Sequence, residues 1–100
     1  MISIVFDPDA KAEFLAAVRY YESCQSGLGR RFKLIVQSAL QKVAETPFQY
    51  RLIHTHFRRY LLPKFPYAVI FSIEPDHIHI IAVAHTKRKP GYWQRRIQTT

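Results

Sequence analysis

The sequence predicts an α+β domain in the order β-α-α-β-β-β, a helical hairpin packed on one face of a small, mainly antiparallel four-stranded sheet. Two patterns carry this expectation. Phe32, Ile35, Val36, Ala39, Leu40 and Val43 recur at helical spacing along one segment. After Pro47 the chain changes to short β-branched and aromatic runs divided by Pro-containing turns. Length and apolar content fit a single domain over residues 1–100 with one modest core.

Each element has a local cause. Ile2 to Phe6 is short and β-branched and reads as a strand. Asp7 is a natural N-cap and Pro8 a natural first helical residue, so a helix should run from about Pro8 to Ser23. Phe14, Leu15, Val18 and Tyr21 are its expected buried stripe. Ser26-Gly27-Leu28-Gly29 breaks the chain, and the second helix follows until Pro47 stops it. The short link predicts an antiparallel hairpin. Phe57 to Leu62 is the next strand, with Arg58 and Arg59 on opposite sides. Pro63-Lys64-Phe65-Pro66 is a stiff connection to a strand from Tyr67 to Glu74. Pro75-Asp76 turns the chain into the last strand, His77 to His85. From Tyr92 the chain reads as a short helix or a tail. Helices on one face should leave the other partly open, beside that tail.

Charge is unevenly spread. The formal net charge is +8 and the pI near 10.0. Residues 1–50 hold six Lys/Arg and five Asp/Glu, whereas residues 51–100 hold nine against only Glu74 and Asp76. The first half is therefore a scaffold and the second a working half. Lys87 to Arg96 carries five cations and two aromatics with no acid, suited to a polyanion or an acidic protein. Cys24 is the only cysteine, so no internal disulfide can form, which fits a reducing cytoplasm. The opening strand followed by Asp7-Pro8-Asp9 does not read as a secretory leader. No apolar run approaches the roughly 20 residues that span a bilayer, so no membrane partner is expected.

The candidate binding residues are Arg58, Arg59, Lys64, Lys87, Arg88, Arg95 and Arg96, because clustered guanidinium and ammonium groups hold phosphates or carboxylates. Tyr92 and Trp93 among these cations can stack a base or pair with a cation; Trp93 reads at least as well as an anchor of the tail onto the helical hairpin. His85, at the strand end beside the cations, can act as a general base or simply fix that end. His54-x-His56 and His77-x-His79 offer too few ligands for zinc, so no metal is expected. Gly27-x-Gly29 is a turn rather than a phosphate loop, and no cofactor motif is present.

Tyr20-Tyr21-Glu22, Gly27-Leu28-Gly29-Arg30-Arg31-Phe32, Pro47, Arg59-Tyr60-Leu61-Leu62, Phe65-Pro66-Tyr67 and Ala82-Val83-Ala84-His85-x-x-Arg88 together resemble the RelE/ParE toxin superfamily over nearly the whole chain. The resemblance implies a cytoplasmic toxin of a type II toxin–antitoxin pair, bound by a cognate antitoxin in a hetero-oligomer. RelE-like members cut messenger RNA in the ribosomal A site, and ParE-like members inhibit DNA gyrase. Phe65-Pro66-Tyr67 with Val83-Ala84-His85-x-x-Arg88 is similar to the ParE side. The ribonuclease pattern places an arginine six residues before a C-terminal tyrosine. If Tyr92 is that tyrosine, the arginine position falls on Thr86, with Arg88 two residues late. As a metal-independent endoribonuclease the chain would use His85 or Tyr92 for proton transfer. Arg58, Lys64 and Arg88 would then stabilise the phosphorane.

Overall fold

The computed structural model describes residues 2–97. Strand β1 (Ser3–Phe6) leads into helix α1 (Pro8–Cys24) and helix α2 (Leu28–Glu45). A 3-10 turn (Pro47–Gln49) precedes β2 (Arg51–His54), β3 (Phe57–Leu61), β4 (Tyr67–Ile73) and β5 (His77–His85), and a second 3-10 turn spans Tyr92–Arg96. The strands form one sheet in the order β1-β5-β4-β3-β2. β1 runs parallel to β5, and every other pair is antiparallel.

The sheet thus has five strands rather than the expected four. The added strand, β2, pairs Arg51 with Arg59 and Leu52 with Arg58, and its register shifts before His54. Four residues with a bulge leave no clean alternation in the sequence. Pairing with β3, not local propensity, makes this segment a strand.

The helix boundaries follow their caps. The Asp7 carboxylate accepts the Asp9 N–H at 2.9 Å, and Pro8 opens α1. At α2 the cap comes from the preceding helix. Glu22 accepts the N–H groups of Gly27 at 2.9 Å and Gly29 at 3.0 Å, placing an anion at the positive end of the helix. A Cβ on Gly29 would lie 2.5 Å from the Val18 carbonyl oxygen, so glycine is what lets the helices approach here. On α1 the inward stripe is Ala10, Phe14, Ala17, Val18 and Tyr21. Leu15, expected inside, is 41% exposed, because it lies about 100° around the helix from Phe14. On α2 the inward stripe is the expected one, with Phe32, Val36, Ala39 and Val43 buried.

Phe32 is the aromatic hub of the main core. Its ring centroid lies 5.2 Å from Tyr21, 5.1 Å from Phe65 and 5.1 Å from Tyr67. A second, smaller core occupies the opposite sheet face, formed by Phe57, Ile70, Ile81, Ala82, Ala84 and Trp93. The second face, expected to be partly open, is covered at its middle, where the centres of β4 and β5 are buried on both sides. Near-continuous apolar runs such as these require cover on two faces. A bulge divides β5 between the two cores. Ile70 pairs with Ala82 and Phe71 with Ile80, which leaves Ile81 as the extra residue. Ile78, Ile80 and Val83 consequently join the helical core, and Ile81, Ala82 and Ala84 join the other.

Gly29→Ala should destabilise the protein by about 1–3 kcal/mol, since a backbone atom blocks the new methyl group. Urea unfolding of the variant beside the parent measures this.

Candidate functional site

The site begins where β1 stops covering β5. The parallel pair ends at Phe6 opposite Ile80, and the Asp7 N–H then donates to the Ile80 carbonyl at 2.8 Å. Further along that edge, side chains take over. The Val83 N–H donates to Glu13 Oε1 at 3.0 Å, and Arg96 Nη1 donates to the Ile81 carbonyl at 3.0 Å. Arg96 also grips both Glu13 oxygens, at 2.9 and 3.0 Å. The Tyr92 hydroxyl donates to Glu13 Oε2. Glu13 and Arg96 side chains are only 15% and 9% exposed, so this pair is largely withdrawn from water. Glu13 raises the pKa of the Arg96 guanidinium and keeps it charged. Burial pushes the Tyr92 phenol up, and its bond to Glu13 pushes it further.

This clasp holds the terminal segment against the sheet. Gly91 begins it in a left-handed conformation, φ 76°, beside the Gln94 amide. Trp93 is 3% exposed, with its ring centroid 5.2 Å from Phe57 and 6.1 Å from His54. Arg88 lies over the Tyr92 ring, 3.8 Å from its centroid, and 3.9 Å from Glu13 Oε2, with half its side chain exposed. Arg96 approaches the same ring at 5.1 Å.

Between this segment and β3 lies a cleft of about 330 Å³. Leu61, Ala68, Ile70 and Ala84 supply apolar lining, Arg59, Arg88 and Lys89 supply cations, and no Asp or Glu lines it. His85 borders it as well. The Lys87 N–H donates to His85 Nδ1 at 3.1 Å. A backbone N–H can only donate, so neutral His85 carries its proton on Nε2 and presents a donor.

The expected binding residues therefore separate. Arg59 and Arg88 meet at the cleft, joined there by Lys89, while Lys87 and Arg95 are exposed on the same terminal stretch. Arg58 points to the other sheet face, where it donates to the carbonyls of Tyr50 at 2.8 Å and Phe48 at 3.3 Å. Lys64 lies elsewhere, beside Arg31, Leu34 and Phe65. Arg96 is held in the clasp, and Trp93 is packed in the second core. Among the described residues no three His, Cys, Asp or Glu side chains are placed to share a metal ion. Among them, too, no helix is long and apolar enough to cross a membrane. Glu13 was not singled out in the sequence. Its signal was present: it shares a helix face with Ala10 and Ala17, three and four residues away, and a carboxylate on a buried stripe demands partners.

The fold and the cleft define a small basic α+β domain with a cation-rimmed surface site. A family profile described as the ParE toxin of type II toxin–antitoxin system, parDE, matches residues 4–90. The chain belongs to this family of type II toxin–antitoxin toxins. Its fold is similar to a structure described as the chromosomal ParDE TA system from P. aeruginosa. The TM-score is 0.65 at 17% identity, covering 87% of this chain and 98% of the other. No curated protein matches the chain significantly.

Glu13→Ala should cost about 2–4 kcal/mol, because it strands a mostly buried guanidinium. It should also shift Trp93 emission to longer wavelength as the terminal segment loosens; fluorescence-monitored unfolding reads both. Burial also raises the Tyr21 and Tyr67 phenols. A raised phenol stabilises the fold fully below its ordinary value of 10.0, and that contribution is lost as pH rises through the folded-state value. Stability should therefore fall above about pH 10, and Tyr92→Phe should flatten the decline in alkaline denaturation curves.

Proposed function

We propose that this chain is a ParE-like toxin that inhibits DNA gyrase and thereby blocks replication, and that a cognate antitoxin neutralises it in a cytoplasmic hetero-oligomer. Membership in the ParE family supports the toxin–antitoxin setting. One observation favours a binder over a ribonuclease: both candidate proton-transfer groups are engaged in other bonds. Tyr92 gives its hydroxyl proton to Glu13, and its phenol is pushed further toward the neutral form. His85 offers a protonated Nε2 while its Nδ1 accepts the Lys87 N–H. A general base needs a free lone pair aimed at the attacking hydroxyl. His85 presents none at Nε2, and the Tyr92 phenol, held neutral, is too weak a base to take the proton. Arg58 and Lys64, which the ribonuclease reading recruits, lie apart from the cleft.

The proposed action needs charge and shape, and the cleft supplies both. Cations in a lining that holds no carboxylate steer an acidic surface toward the site, and the aliphatic lining gives it area to bury. Purified protein should inhibit gyrase supercoiling while leaving messenger RNA intact in a translation extract. Arg59→Ala with Arg88→Ala should weaken inhibition by about tenfold or more. Normal supercoiling at large toxin excess, with cleaved messenger RNA, would establish the RelE-like reading instead.

A further inference from the structure

We infer that the solvent face of α2 is a second binding surface, one that lies in the major groove of duplex DNA and holds its phosphates. It is separate from the cleft. Helix α2 has no Asp or Glu between Leu28 and Ala44, yet it carries Arg30, Arg31, Lys33 and Lys42, all exposed. Among the described residues, none of these four lies within ion-pair distance of a carboxylate. Their charge therefore stays available, unlike that of Arg96. Like charges one turn apart on a helix, such as Arg30 and Lys33, repel each other, and a bound polyanion relieves that cost.

The arrangement around the helix matches a duplex. About 100° of rotation per residue spreads the exposed positions of α2 over roughly half its circumference. Lys33 bounds that arc on one side, and Arg31 and Lys42 bound it on the other. Arg30, Leu34, Gln37 and Gln41 lie between, and the helix's one carboxylate, Glu45, is its last residue. Lys64 stands beside Arg31 and extends that flank beyond the helix. Its backbone is left-handed, φ 68°, a conformation that costs a lysine stability and that gathers at contact sites. Cations on both flanks can reach the phosphates of two strands, and the amides between them match the donor and acceptor on an adenine edge. Leu34, 52% exposed, fits a thymine methyl. A protein partner would need a broader apolar centre than one leucine. A helix about 10–12 Å across enters the B-DNA major groove, about 12 Å wide, whereas the major groove of A-form RNA is too narrow for it.

The test titrates the full chain into a labelled DNA duplex and an RNA duplex of the same sequence, read by fluorescence polarisation. DNA should bind about tenfold more tightly than RNA at physiological salt. Arg31→Glu with Lys33→Glu should weaken DNA binding by about tenfold or more, as should Gln41→Glu, which puts an acid inside the arc and leaves every cation in place. Arg59→Glu with Lys89→Glu, an equal charge change at the cleft, should leave it within about threefold. Dimethyl sulfate should find guanine N7 protected in the complex, because that atom lies in the major groove. Absent DNA binding overturns the inference, and so does RNA bound as tightly as DNA. Equal weakening by the cleft pair, or reactive guanine N7 in the bound duplex, overturns it too. Gyrase takes no part in these measurements, so their failure leaves the proposed target standing, and uninhibited supercoiling leaves the DNA result standing.

Discussion

The Glu13 carboxylate ties together three parts of the chain: α1, the free edge of β5 and the terminal segment. It reaches from α1 to a strand edge that β1 has stopped covering, and there it accepts the Val83 N–H. It also takes the Tyr92 hydroxyl and the Arg96 guanidinium. Arg96 completes the arrangement by satisfying the Ile81 carbonyl, at the bulged residue of β5. A carboxylate and a guanidinium thus do for this edge what another strand would do: they supply an acceptor for the N–H and a donor for the carbonyl. An unpaired edge invites association with other strands, and covering it with side chains closes that route. The pair costs desolvation, which its several hydrogen bonds offset.

The clasp also explains why the second sheet face has a usable cleft. With Tyr92 and Arg96 held by Glu13, Trp93 is set onto Phe57 and the small side chains of β5. That covers the middle of the face and leaves its end, beside Arg59 and Leu61, uncovered. The terminal cations then divide by role. Arg96 turns inward and is neutralised, whereas Arg88 stays outward on the Tyr92 ring. A basic run that looks uniform in sequence becomes one structural cation and several available ones.

The helical half was legible because its signals are local. The Asp7-Pro8 start, the period through Phe32 to Val43 and the stop at Pro47 each act within a few residues. β3, β4 and β5 were legible for the same reason, from apolar runs between turns. β2 was not, because its strand character comes from pairing with β3. The two-sided burial of the sheet was missed because it depends on where Trp93 lands. The sequence offered two readings of that residue; it is a buried anchor, but on the sheet face opposite the helical hairpin where it was expected. The cleft was half legible: its cations were named, but their partition between the two sheet faces depends on strand parity and the bulge. Arg58 and Arg59 were rightly assigned to opposite sides, and that single alternation separates them.

The parallel pairing of β1 with β5 carries an implication for synthesis. The strand made first must wait for the one made last, since Ser3 sits opposite His77 and Glu13 bonds Arg96 83 residues away. Such distant closures form late in folding. A nascent chain still inside the ribosomal tunnel lacks both the fifth strand and the clasp that shapes the basic cleft. Until the terminal segment emerges, the β5 edge beyond β1 and the second core stay uncovered.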